Sequence, residues 1–169
     1  MEGSAADMPD ALAGRRFDLV TMTHVLEQCL DPVRAPCNPR DKLAPRATLY
    51  CEVPNAGSRY FRTYGEISEM LDVPRHLHSS DGASLADAAA GAGLEVVSWQ
   101  ANGYVRHVLP GSKAWENGIH DRLVRAGRRP VCAPRSAPGD RRLMMAGLLD
   151  PPGLRYDPIA FLARRGDGA

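Results

Sequence analysis

Several ordinary features are scarce or missing in this 169-residue chain, and each gap removes a class of function. A charge of one sign is missing. With 21 basic residues against 20 acidic ones and a formal net charge of +1, no overall field draws the chain to nucleic acid or to anionic lipid. Lysine is scarce, with only Lys42 and Lys113 among the basic residues. Alongside abundant Ala, Gly and Pro, that bias reflects a GC-rich genome as much as any function. The four cysteines, Cys29, Cys37, Cys51 and Cys132, form no Cys-x-x-Cys pair and have no histidine at zinc-ligand spacing, so free thiols and no metal are expected. No apolar run approaches the roughly 18 residues of a membrane span, and the opening MEGSAADMPDALAGRR lacks the apolar core of a signal peptide. A cytoplasmic protein without a membrane segment is the expectation. No internal repeat is visible.

What is present suffices for one domain. A hydrophobic content of 44% over this length supports a real core. Residues 17–22, FDLVTM, alternate apolar and polar positions after a Gly-Arg-Arg turn and read as a short strand. Asp31 and Pro32 supply an N-cap oxygen and a pre-set first helical residue, so a helix is expected to open there and run toward Leu43. Pro36 and Pro39 each cost about 3 kcal/mol in a regular helix interior, so that helix is expected to be broken or shortened. Residues 48–53, TLYCEV, read as a second strand that ends at Pro54, Asn55 and Gly57. Strand, helix and strand make a crossover unit, and hence an α/β sheet with mostly parallel strands and flanking helices.

Residues 58–80 look irregular, with Tyr60, Phe61 and Tyr64 ahead of a short helix around Glu66 to Leu71. Asp81 caps a helix whose apolar positions Leu85, Ala88, Ala89 and Ala92 share one face, and Gly93 suits the left-handed position after it. Residues 94–100, LEVVSWQ, read as a third strand. Further on, 114–126 place Trp115, Ile119 and Leu123 on one helical stripe before Gly127, and 141–149 form another helix. Residues 158–164, PIAFLAR, close the chain as a last strand after this helical insertion.

FDLVTMTHVLEQCLDP, followed by LAPRATLYCEVPN, resembles the class I S-adenosylmethionine-dependent methyltransferase pattern FDxVxxxHVLEHxxDP, then LxPGGxLxxxxPN. Upstream, GSAADMP resembles the family's GDAEDLP, and downstream RHLHSSDGASLADAAAGAGLEVV resembles its RHLxxFTxxSLxxLxxxAGFxVV. The resemblance spans roughly residues 3–100. It implies a partial Rossmann-like methyltransferase sheet, with PIAFLARR as the family's last, antiparallel strand. It also implies S-adenosylmethionine as cofactor and methyl transfer to an O, N or C nucleophile of a small molecule, in which positioning does most of the work. By the same resemblance Ser4 and Ala5 fall against the adenine, and Thr21, Met22 and Thr23 flank the cofactor at the strand end. The sequence departs from the pattern at Ser4, Gln28 and the Pro45-Arg46-Ala47 turn. An Arg in place of a turn glycine implies strain at Arg46. The family's glycine-rich Asp/Glu-x-Gly-x-Gly-x-Gly loop has no counterpart in residues 1–16, so residues 1–169 are expected to form a single domain truncated at its N-terminus, with 101–157 a variable insertion.

His24, just past a strand end, reads either as a general base or as a packed loop histidine that orders the helix start. His76, in PRHLHSS, falls on the substrate side of the cleft by resemblance, and near-neutral titration suits it to take a proton from a hydroxyl or amine. Glu27 reads as an acid or base, or as a partner for a nearby Arg or backbone donor. Tyr60, Phe61 and Tyr64 with Arg59 and Arg62 read as a stacking surface or as the packing of a lid. The arginines from Arg122 to Arg142 lack interleaved aromatics and read as a solvated face rather than a nucleic-acid site.

Two functional expectations follow. One is methyl transfer to a small-molecule acceptor. The other is a non-catalytic methyltransferase-like module, or half of a split enzyme. In the family's strand order the first strand here pairs with a strand the sequence does not supply, and its edge invites a partner or self-association.

Overall fold

The computed structural model describes residues 12–101 and 110–166. Four strands form one sheet: β1 (Phe17–Thr23), β2 (Leu43–Pro54), β3 (Leu94–Gln100) and β4 (Pro158–Arg165). Their order is β1-β2-β4-β3. β1 and β2 pair in parallel, and β4 runs antiparallel to both of its neighbours, so three of the four strands share a direction. The closing PIAFLARR strand thus lies inside the sheet although it comes last in sequence.

β2 begins five residues before the TLYCEV reading, and the extra residues are irregular. Phe17 pairs with Leu43 but Leu19 pairs with Thr48, so β2 bulges between them, and Arg46 sits in that bulge at φ +66°. An L-residue in the left-handed region is disfavoured by about 1–2 kcal/mol, so the strain expected where Arg replaces a turn glycine is present in the backbone.

The helix between β1 and β2 is short. α1 spans Cys37–Asp41, with Pro36 as its N-cap and Pro39 in its first turn. First-turn N–H groups have no intrahelical partner, so starting at Pro36 lets the chain keep both prolines without losing a bond. Asp31 still caps, but it caps a turn: its Oδ1 accepts from Val33 and Arg34 N–H groups at 3.1 and 3.0 Å.

α3 (Gly82–Gly91) follows the sequence closely, with Asp81 and Ser84 in a reciprocal capping box and Gly93 at φ +69°. Leu85, Ala88, Ala89 and Ala92 are all buried. Leu85, Ala89 and Ala92 pack with Leu49, Cys51 and Val53 of β2 and Ile159, Phe161 and Ala163 of β4 in the main core. Fully burying residues such as Leu49 or Phe161 contributes about 1.5–3 kcal/mol each. The opposite face of β1 is open: Leu19 is 58% exposed, and Thr21 and Thr23 are exposed with it.

Residues 59–64 are a helix, α2 (Arg59–Tyr64), capped by Ser58 Oγ, where the sequence looked irregular. Two 3-10 turns, Gly65–Ile67 and Glu69–Leu71, replace the short helix expected after it. α4 (Pro110–Arg125), α5 (Ala137–Leu149) and the single turn α6 (Pro152–Arg155) precede β4. The stripe expected on α4 is corrected by one position. Trp115 is 58% exposed, whereas Glu116 is fully buried, and only Ile119 and Leu123 of the expected stripe pack inward, against the cluster of Tyr60, Tyr64, Ile67, Met70 and Leu143. One residue turns a helix by about 100°, and buried ionic bonds to Glu116 set that rotation here. Among the described residues no helix is long and apolar enough to cross a membrane.

Candidate functional site

β1 ends at Thr23, and His24 turns the chain away with φ +52°, its N–H still bonded to Glu52 O of β2 at 3.0 Å. A 3-10 turn, Leu26–Gln28, follows at once and buries both Leu26 and Glu27. The sequence therefore swings Glu27 back beneath the histidine three residues before it. His24 Nδ1 lies 3.3 Å from Glu27 Oε1, and its Nε2 lies 3.8 Å from Glu52 Oε1.

His76 arrives from a separate segment. Asp72 adopts φ +35°, Arg75 and His76 N–H groups bond to its carbonyl, and the chain then lies across the end of β1, where Leu77 and His78 N–H groups donate to Glu27 O at 2.7 and 3.2 Å. A parallel bridge between Asn55 and Ser80 fixes the far end of this segment to the end of β2. His76 Nε2 comes to 3.6 Å from Glu27 Oε1 and 3.9 Å from Asp72 Oδ2, while its Nδ1 lies 2.8 Å from Met70 O. His24 and His76, 52 positions apart in sequence, thus face the same carboxylate oxygen.

Glu27 is 2% exposed, and neither of its oxygens has a hydrogen-bond partner among the described residues. Its charge is felt nearby. Burial first, and the Glu27 carboxylate second, raise the Cys29 thiol and push Cys51 up to about 12, so both thiols stay protonated and unreactive. Tyr50 donates to Glu52 Oε2 at 2.6 Å, and burial followed by that bond pushes its phenol up to about 12. Glu52 is the member that sequence reading missed, although a lone carboxylate inside the apolar run TLYCEV was a usable signal.

Thr21 and Thr23 lie on the open face of β1, whereas the Met22 side chain is buried in the core at 3% exposure. Ser4 and Ala5 lie outside the described residues. His78 Nε2 is buried without a hydrogen-bond partner among the described residues. The aromatic cluster is packing rather than a stacking surface: Tyr60 and Tyr64 are buried edge to face at 5.6 Å. The basic region divides, since Arg135 is buried against Glu116 while Arg122 stands over the exposed Trp115 ring at 5.6 Å. A separate apolar cleft of about 440 Å³, lined by Gly82, Ala86, Trp99, Gln100, Gly153 and Ile159, opens at the end of β3. Among the described residues no group of three or more His, Cys, Asp or Glu is placed to hold a metal ion.

An open α/β sheet that gathers its polar groups outside the carboxyl ends of its parallel strands defines a ligand-binding class of fold. Residues 3–99 match the methyltransferase domain family. The chain belongs to that family. No curated protein matches the sequence. Among solved structures, the CcbJ methyltransferase of Streptomyces caelestis is 14% identical with a TM-score of 0.55, covering 97% of this chain and 62% of its own. A SAM-dependent methyltransferase of Archaeoglobus fulgidus is 16% identical with a TM-score of 0.55, covering 98% of this chain and 66% of its own. A Haloferax volcanii methyltransferase in complex with the Trm112 methyltransferase activator is 13% identical with a TM-score of 0.54, covering 97% and 60%. The chain therefore spans between three-fifths and two-thirds of the length of these proteins.

S-adenosylmethionine is the cofactor that this family implies. The described residues fit one side of it. The exposed Thr21 and Thr23 at the end of β1 carry hydroxyls that suit the polar groups of such a ligand. The positive-φ glycines, Gly14, Gly93 and Gly127, supply no glycine loop between a strand and a helix among the described residues.

Proposed function

We infer that the chain forms part of an S-adenosylmethionine-dependent methyltransferase acting on an O, N or C nucleophile of a small molecule. One observation carries this reading: His24, Glu27, Glu52 and His76 converge at the ends of the parallel strands in a chain of this family. The cofactor supplies an electrophilic methyl group when bound. Thr21 and Thr23 would hold it from the β1 side, and the resemblance adds Ser4 and Ala5.

His24 is the stronger of the two candidate bases. Its side chain is 38% exposed against 12% for His76, and His76 already spends its Nδ1 on Met70 O. In this reading His24 Nε2 takes the proton of the acceptor, which contributes about 10²–10⁴-fold to a rate. His76 packs behind it as a second ring on Glu27. Residues 101–157 act as the insertion that selects the acceptor within one domain.

The second reading is a methyltransferase-like module that works with a partner or a second copy, joined along β1. It is favoured by the free edge of β1, which pairs only with β2 among the described residues, and by the exposed Leu19. The related Haloferax protein was solved with an activator, which is in keeping with such an arrangement.

Titration calorimetry of the full chain with S-adenosylmethionine separates the two. Heat of binding at up to millimolar ligand is expected if the chain is a self-sufficient enzyme. No heat over that range removes self-sufficient activity and leaves the second reading.

A further inference from the structure

A buried carboxylate without a donor is costly, so something at the site has to satisfy Glu27. The groups that face it are two imidazoles, each in turn facing another carboxylate: His24 with Glu52, and His76 with Asp72. A neutral imidazole carries one N–H. That of His76 is committed, because its Nδ1 lies 2.8 Å from the Met70 carbonyl oxygen, which can only accept. The Nε2 of neutral His76 then presents a lone pair to Glu27 and cannot satisfy it. His24 can, since its Nδ1 lies 3.3 Å from Glu27 Oε1 and a small shortening of that contact makes it a hydrogen bond.

We propose that Glu27 is a positioning residue that accepts a hydrogen bond from His24 Nδ1–H and so holds the ring in the tautomer whose Nε2 carries the lone pair. The proposal rests on the reading of His24 as the base. The left-handed backbone at His24 agrees with it, since such conformations persist where the surroundings fix them. Catalytic hydrogen bonds are also often long before substrate binds and tighten in the loaded site. When the acceptor's proton moves to Nε2, the electron pair of the broken bond stays on the acceptor atom. The ring becomes an imidazolium, and the Glu27 carboxylate offsets its charge.

The test is the ¹⁵N spectrum of the histidine rings in the full chain at a pH where they are neutral, recorded without substrate and assigned with His24→Gln. His24 is expected in the Nδ1–H form. In Glu27→Gln, which keeps shape but loses the obligate acceptor, the ratio of Nδ1–H to Nε2–H is expected to fall about tenfold, the factor that matches loss of a hydrogen bond to a charged group. An Nε2–H tautomer in the unaltered chain overturns the proposal, as does an unchanged ratio in a folded Glu27→Gln. A proton found on Glu27 and shared with His76 also overturns it. If Glu27→Gln does not fold, the tautomer of the unaltered chain decides by itself. Because no methyl transfer is read, a confirmed tautomer with no cofactor binding would remove self-sufficient activity and leave the Glu27 contact standing.

Discussion

At the scale of single residues, His24, Arg46 and Asp72 all stand at positive φ, and the first two differ in their surroundings. His24 stands at φ +52° among the site's charged groups, whereas Arg46 stands at φ +66° in the β2 bulge with an exposed side chain. His24 faces the Glu27 and Glu52 carboxylates, whereas nothing described around Arg46 requires its conformation. Arg46→Gly is therefore expected to raise stability by about 1 kcal/mol, because glycine adopts the left-handed region without the Cβ clash, and its greater unfolded-state entropy offsets only part of the gain. Urea unfolding measures this, and a lower midpoint for the variant would contradict it. The position was legible beforehand, because the family pattern wants glycine where this chain has arginine.

At the scale of elements, α2, α4 and α5 are held together by charge as much as by apolar contact. Glu116 of α4 is fully buried and accepts from Arg135 Nη1 at 2.8 Å and from the Tyr60 hydroxyl, while Arg135 Nε reaches Asp140 of α5 at 3.1 Å. Burial and the bond to Glu116 raise the Tyr60 phenol far above its ordinary range, so it stays a donor throughout. Removing one partner of such a pair strands the other, at about 3–5 kcal/mol. Glu116→Leu is expected to cost about that much and to speed amide exchange in α2 and α4 while β2 and β4 stay protected. Replacing both partners, Glu116→Leu with Arg135→Met, should recover most of the loss. Equal acceleration across the sheet would mean that α2 and α4 do not open as a separate cooperative unit. Sequence periodicity misplaced α4 by one position because it ranks Trp115 above Glu116, and the donors that let a glutamate be buried, Arg135, the Tyr60 hydroxyl and the Glu69 N–H, all come from outside the helix.

At the scale of the whole molecule, the sheet has a covered face and an open one. The core joins α3 to β2 and β4, while Leu19, Thr21 and Thr23 of β1 look outward next to an edge that has no neighbour among the described residues. Apolar edge strands promote pairing with other chains, and a charge on the strand blunts it. Leu19→Lys is expected to shift concentration-dependent elution in size-exclusion chromatography toward the monomer. If the unaltered chain elutes as a monomer at every concentration, association along β1 is excluded.

Local signals by themselves determined the strand at FDLVTM, the Asp81 cap and Gly93 stop of α3, LEVVSWQ and PIAFLARR, because capping chemistry and side-chain periodicity act within a few residues. They also marked His24 and His76 one at a time. Only the tertiary structure decided that β4 inserts between β2 and β3, that the Met22 side chain is buried in the core, and that two histidines 52 positions apart face one buried carboxylate. Those outcomes depend on strand order and on where the 72–80 segment lands across the end of β1. The physical reason is that strand order, the path of the 72–80 segment and the burial of Glu116 against Arg135 depend on contacts between residues far apart in sequence, which no short window contains.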